Sequence, residues 1–358
     1  MMNNKAFYRI SLVATFLALL VVVLGAYVRL SDAGLGCPDW PGCYGQLLAP
    51  SAEHEVAAAN SVFPERPVET PKAWKEMIHR YFASILGLLI LAMSFLAYRH
   101  RHNPKQQLKL PLFLVLLVGF QGALGMWTVT LLLKPVIVSL HLLGGMLTLA
   151  LLWWTSLTAL DHSNTHNTLR TSNTVKRWAL LGLIVIYFQI ALGGWTSTNY
   201  VALYCTDLPT CQGQWFPPTD FKEGFTLWSK DDTTDINYEG GVLSLEAGTA
   251  VHLTHRIGAL ITLAIVGCFA LKLYLLGTAI SRRYGLILAT VLATQVSLGM
   301  LNIILVLPIP IAVAHNGVAA LLLLTMLTIY RKINTLPATI TITRKTTDAT
   351  YSTNAQVT

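Results

Sequence analysis

Four of the ten histidines, His79, His141, His255 and His315, fall at the heads of strongly apolar runs. An ionisable residue inside a membrane span is costly and usually faces a bundle interior or a functional site. Each of the four lies near the N-terminal end of its run. There the positive end of a helix dipole disfavours imidazolium and leaves a neutral nitrogen to bind a metal. Two by two, at matching depth on different helices, they can hold heme iron from opposite faces. Zinc fits less well, because no third or fourth ligand lies at a suitable spacing. All four lie on one side of the membrane. That arrangement predicts two hemes side by side with different tasks, not a relay across the bilayer. His100, His102, His162 and His166 fall in basic loops and read as solvated, and His54 is open to either reading.

The neighbours of these histidines distinguish two halves. Three residues before His79 stands Glu76, and three before His255 stands His252. An i,i+3 spacing puts each pair on one helix face. Thr70-Pro71 is a suitable helix start, with proline tolerated at the first position, so Glu76 is expected to be helical. A carboxylate beside one heme site can handle protons or stabilise positive charge; a solvated interfacial acid is the plainer reading. Arg80 and Arg256 follow two of the histidines, suited either to heme propionates or to snorkelling. Cys37 and Cys43, and Cys205 and Cys211, form two C-x5-C pairs, each holding a proline. In an oxidising compartment each favours a disulfide, structural or redox-active. Cys268 reads as a small core residue. Gln121, Gln189 and Gln295 each precede a Leu-Gly pair by three and read as interhelical hydrogen-bonding groups, the glycine admitting a close neighbour.

These residues need an apolar scaffold. The chain has 358 residues, 54% hydrophobic and 12% charged, with mean hydropathy +0.55. A soluble domain carries about 25% charged residues. Spans of about 20 apolar residues are read at 8–29, 79–98, 110–133, 137–160, 178–198, 254–275, 284–306 and 311–330. The first is too long for a signal-peptide core and no small-x-small site follows it. Side one of the membrane carries 16 of the 25 Lys and Arg but only Asp161 and Asp348 among the acids. Positive-inside bias puts that side, with both termini, in the cytoplasm and the loops 30–78 and 199–253 outside. The net charge of +8 therefore reports orientation, not a nucleic-acid surface. The second outer loop, with Trp215, Phe216, Pro217 and Pro218 ahead of an acidic run, is suited to capping the outer face.

The halves repeat. Leu24-Gly25-Ala26-Tyr27 matches Leu192-Gly193-Gly194-Trp195, offset 168; the histidines and Gln121-Gly122-Ala123-Leu124-Gly125-Met126 against Gln295-Val296-Ser297-Leu298-Gly299-Met300 are offset 174 to 176. The fold class expected is an all-α integral membrane protein. Its eight helices form two tandem four-helix bundles, residues 1–177 and 178–358, related by a pseudo-twofold along the membrane normal.

Together Gly36-Cys37-Pro38-Asp39-Trp40-Pro41-Gly42-Cys43, Glu76-x-x-His79-Arg80, His141, His252-x-x-His255-Arg256, His315 and the second cysteine pair resemble the heme A synthase family. The resemblance spans roughly residues 8–330. Phe221-Lys222-Glu223-Gly224-Phe225 and Tyr238-Glu239-Gly240-Gly241 look like its proteobacterial branch. It implies oxidation of the C8 methyl of heme O to a formyl group by successive hydroxylations, giving heme A for cytochrome oxidase. It implies substrate heme between His79 and His141, and a heme b cofactor between His255 and His315. Glu76, Cys37 and Cys43 are implied to be important for turnover, with disulfides Cys37–Cys43 and Cys205–Cys211. His252 opposite Glu76 has no role implied beyond packing. Expected partners are heme O, heme O synthase (protoheme farnesyltransferase), a quinol or other electron donor, and the lipid of a bacterial inner membrane, with no nucleic acid. Whether copies of the chain associate as a homo-oligomer is left open. The rival readings are a non-catalytic diheme cytochrome passing electrons from quinol and a membrane thiol oxidase; neither explains all of these residues together.

Overall fold

The computed structural model describes residues 4–103, 106–161, 172–228 and 236–334. His162, His166 and the tail after 334 lie outside them. Ten helices are described: α1 (Asn4–Leu30), α2 (Glu53–Val62), α3 (Thr70–Arg99), α4 (Lys109–Thr130), α5 (Pro135–Asp161), α6 (Asn173–Thr198), α7 (Phe221–Gly224), α8 (Leu245–Leu275), α9 (Ala279–Ile304) and α10 (Ile309–Asn334). Eight of them, all but α2 and α7, are long and apolar enough to cross a membrane. Many large apolar side chains point outward along them, including Phe16, Leu88, Leu116, Phe188, Leu260 and Leu275. Hydrocarbon, not water, suits such a surface.

The helices pack in two matching rings. α1, α3, α4 and α5 each touch the next and α5 closes on α1; α6, α8, α9 and α10 do the same. The rings meet through α1 against α10, α5 against α6 and α5 against α10. Small residues permit the close approaches that hold membrane helices together: Ala14, Ala18, Ala179 and Ala320 are buried among Ile90, Met146, Phe269 and Met326. Backbone irregularities recur at the repeat offset. Asp32 and Tyr200 share positive φ, as do Leu132-Leu133 and Val306-Leu307. Single bridges pair Cys43 with Gln46 and Cys211 with Gln214. At the seam, Arg29 donates to the Ser197 carbonyl, 168 positions on, and stacks 3.6 Å over Tyr200.

Two expectations about these elements need correction. α3 and α8 begin at Thr70 and Leu245, nine residues ahead of the apolar runs at 79 and 254. Hydropathy sees only the part in hydrocarbon. The polar first turns continue the helices outward, started by Pro71 in α3 and by Ser244, whose hydroxyl caps Ala247 N–H, in α8. His79 is thus the tenth residue of its helix and His255 the eleventh, while His141 and His315 are each the seventh. The dipole acts within the first turn, so the helix-end argument does not apply to these rings. Cys268 is exposed. The buried face of α8 runs through Thr262, Val266, Phe269, Ala270 and Leu273, and Cys268 lies off it toward lipid.

The outer loops were opaque to hydropathy. α2 covers the first cysteine loop, with Cys37, Cys43, Tyr44, Ala59, Ala73 and Met77 in one cluster. In the second loop, Trp215 and Phe216 stand exposed and cap nothing. The capping comes from elsewhere. α7 seats on its own half through Trp195 Nε1 to the Gly224 carbonyl at 2.8 Å. Further on, Tyr238 N–H reaches the Leu132 carbonyl of the first half at 3.1 Å. Tyr238 there joins Leu35, Val129 and Leu133.

Candidate functional site

The four histidines occupy four equivalent seats, one per neighbouring helix pair. His79 on α3 lies against Gly25 on α1, and His255 on α8 against Gly193 on α6; a Cβ at either glycine would stand 3.0 Å from the ring Cε1. His315 meets Gly299 at 3.1 Å and His141 meets Gly125 at 3.5 Å in the same sense. Glycine is needed because the imidazole occupies the space of the missing side chain. The rings are half-buried. Nδ1 of His79, His141 and His315 is buried without a hydrogen bond of good geometry. The backbone of Val21, Gln121 and Gln295, in each case one turn ahead of the glycine, neighbours these three rings. For His255 the neighbour is a side chain, with Gln189 Nε2 3.0 Å from Nδ1 and 3.0 Å from the His255 carbonyl. Gln295 Nε2 likewise stands 3.3 Å from His315 Nε2. His79 and His141 are within electrostatic range of one another, as are His255 and His315.

These features suit a pair of imidazoles per half acting on one metal centre. Metal-ligating histidines ordinarily donate their second ring N–H to a carbonyl or carboxylate; backbone stands beside three of these rings, and at His255 the Gln189 amide stands at Nδ1. Among the described residues no three His, Cys, Asp or Glu side chains gather as a metal cage; two imidazoles per half are a donor set that heme iron takes. The described cavity of about 310 Å³, at the outer end of the first half between Pro38, Phe63, Arg66 and Leu132, borders none of the four rings.

Beside each outer histidine the structure builds a clamp on a disulfide loop. Glu76, 4% exposed, accepts Cys37 N–H at Oε2, 2.9 Å, and pairs through Oε1 with Arg80. Arg80 also donates to the carbonyls of Asp39, Pro41 and Gly42. In the second half Cys205 N–H faces His252 Nδ1 and Arg256 Nε–H faces His252 Nε2, both at 3.3 Å. Arg256 reaches the carbonyls of Thr210 and Cys205. Both arginines are therefore committed to loop carbonyls instead of extending to the membrane interface. Both disulfides form, Cys37–Cys43 and Cys205–Cys211, with their sulfurs buried. Gly36 is required where the loop meets the α3 backbone, since a Cβ would lie 2.6 Å from the Lys72 carbonyl carbon. Inside the loops Asp39 accepts Tyr44 and Gly45 N–H at 2.6 and 2.7 Å, and Asp207 accepts Gln212 and Gly213 N–H at 2.7 and 3.0 Å. The Thr210 hydroxyl, together with the Gly213 and Gln212 amides, holds the Asp207 carboxyl down at about 2. Burial pushes the Tyr44 phenol up.

Sequence spacing set His79 beside Glu76 and His255 beside His252, but did not show the hydrogen bond from Cys37 N–H to Glu76. It did not find the glycine seats or the contacts of Gln189 and Gln295 with the imidazoles. The signal was present: every seat glycine belongs to a Leu-Gly pair of the repeat. Gln121 packs over Gly144 and Gln189 over Gly258, so these amides also wedge neighbouring helices together.

Comparison with known proteins gives this geometry a family. The profile of the COX15-CtaA family, described as cytochrome oxidase assembly protein, matches residues 8–327. A heme A synthase of Shewanella oneidensis is 47% identical over 321 residues, 90% of this chain and 94% of its own. One from Caulobacter vibrioides is 27% identical over 323 residues, covering 85% and 89%, and one from Chelativorans is 26% identical over 338 residues, covering 90% and 89%. With the match running through all eight spans, this chain belongs to the COX15-CtaA family of cytochrome oxidase assembly proteins.

Proposed function

We infer that the protein is a heme A synthase, a multi-pass membrane oxidoreductase that converts the C8 methyl group of heme O to the formyl group of heme A by successive hydroxylations. The observation that carries this is the 47% identity to a heme A synthase over nearly the whole of both chains. Four glycine-seated histidines in two pairs accord with it.

In this reading the halves divide the work: 1–177 takes the substrate and 178–358 holds the cofactor, the two related by a pseudo-twofold along the membrane normal. The contact of Arg29 with Ser197, one repeat apart, supports that axis. His79 and His141 hold heme O, and His255 and His315 hold heme b. Bound there, heme b supplies one-electron transfer. Gln189 orients the His255 ring through Nδ1. Glu76 locks the Cys37–Cys43 loop over α3 and keeps a negative charge one helical turn from His79, where it can oppose positive charge developing on the substrate. Because Cys37 and Cys43 are fully buried, their disulfide acts as the clip that places Glu76, not as an exchanging thiol pair. The charge bias of the loops supports an inner-membrane location with both termini cytoplasmic. Heme O synthase as the supplier of substrate, and a membrane quinol as electron donor, complete the proposal.

The test is extracted heme composition. Cells expressing this protein with a heme O synthase should accumulate heme A, and purified protein should contain heme b that His255→Ala and His315→Ala each remove. Heme O alone, with intact protein present, would overturn the assignment.

A further inference from the structure

The two clamps do the same mechanical task with different charge. In the first half a buried carboxylate neutralises Arg80. In the second, His252, 3% exposed, stands in the carboxylate's place. Donors face both of its ring nitrogens, Cys205 N–H and Arg256 Nε–H. An imidazolium would meet a donor at both nitrogens and a neutral ring at only one, so this ring is neutral and accepts from one of the two donors. Arg256 is then not neutralised within the clamp, though the Asp207 carboxylate acts on it at longer range. No carboxylate lies within ion-pair distance of it among the described residues. Asp39 and Asp207 sit at matching places in the two loops and cancel in a comparison. Lys75, which Val251 replaces in the second half, is part-exposed and stacks 5.3 Å over the ring of Tyr27, where solvent and salt screen it more than the buried Glu76–Arg80 pair.

We propose that the exchange of Glu76 for His252 makes the second heme site the more positive of the two. Heme between His255 and His315 is thereby poised at a higher reduction potential than the same heme between His79 and His141. The reasoning is Coulombic. Ferrous heme carries one positive charge fewer than ferric heme, so a guanidinium without an ion-pair partner one turn from the ligand favours the reduced state, and a neutral ion pair does not. An electron shared between two chemically identical hemes rests in the second half. That half is then the electron acceptor for oxidation in the first, and His252 is a positioning and charge-setting residue, not an inert relic of the repeat. This inference rests on the assignment of the two histidine pairs above.

The experiment is potentiometric titration of the purified holoprotein, followed by the heme absorbance. His252→Glu, which installs the first half's ion pair, should move the midpoint of the resident heme to lower potential. His252→Gln, which keeps a neutral acceptor, should leave it at the wild-type value. An unchanged midpoint in a heme-loaded His252→Glu protein overturns the proposal. If His252→Glu does not retain heme, wild-type protein loaded with protoheme in both halves decides. The midpoint that His255→Ala removes must then be the higher of the two; loss of the lower one overturns the proposal. If His255→Ala removes neither, the histidine assignment fails, and the charge comparison with it.

Discussion

Deleting the Glu76 carboxylate should release the first disulfide loop while leaving the second in place. Glu76 and Arg80 are 6% and 12% exposed in their side chains, so the pair is buried in the sense that matters for screening. Removing one partner of such a pair costs about 3–5 kcal/mol, and orphaning the Cys37 amide about 1–3 kcal/mol. The two overlap, because Arg80 retains the carbonyls of Asp39, Pro41 and Gly42. The lower end, about 3 kcal/mol, is therefore the expected local cost. At 1.4 kcal/mol per tenfold, that is about a hundredfold in the opening constant of the loop. Hydrogen exchange of the protein in nanodiscs reads this directly. In Glu76→Ala the Cys37 amide should exchange about two orders of magnitude faster, with the Cys205 amide unchanged. Glu76→Gln should fall between, since its amide oxygen still accepts from Cys37 while its NH2 confronts Arg80. Equal exchange at Cys37 in wild type and Glu76→Ala would refute the clamp.

Three further outcomes follow from the site geometry. Gly193→Ala sets a Cβ 3.0 Å from His255 Cε1, so the ring must shift by tenths of an ångström. Heme absorbance and retention should change, whereas Gly122→Ala, which meets nothing within 4 Å, should leave both as in wild type. Gln189→Leu removes the group on His255 Nδ1 and should weaken heme binding about 10–100-fold, the usual range for an orienting partner of a metal ligand; transfer of heme to excess apomyoglobin measures it. The Asp207 carboxyl is held at about 2 against an ordinary 3.8, so its contribution to the second loop is complete above pH 3.8 and is lost as pH falls through about 2. Amide exchange in residues 205–213 should show that loosening in the wild type and not in Asp207→Asn.

What the sequence disclosed follows from what membranes make expensive. Histidine in an apolar run is rare, so His79, His141, His255 and His315 announced themselves, and their matched spacing exposed the repeat. The outer starts of α3 and α8 did not, because Lys72, Lys75 and Glu76 in one and Glu246 and His252 in the other read as loop on a hydropathy scale. Their helical state depends on the disulfide loops packed against them. α2 escaped for the same reason: its sequence, EHEVAAANSV, is too polar and too short to stand out. The loop contacts of Arg80 and Arg256 were unreadable, since only the folded loops present the carbonyls that these side chains reach. Trp215 and Phe216 were misleading as capping residues. Aromatic content alone carries no direction, and the residues that reach the first half are Ile236 to Glu239.

The seam contact between Arg29 and Ser197 has a consequence for how such a protein can be assembled. In a symmetric homodimer a residue on the twofold axis faces its own copy. Two copies of the first half meeting through this surface would set a guanidinium, 14% exposed, against a second guanidinium. Asp32 would stand where Tyr200 now offers its ring face. Unlike members instead set the Arg29 cation against the π-face of Tyr200. The unlike residues at this seam thus distinguish the pairing of the first half with the second from pairing with a second copy of itself.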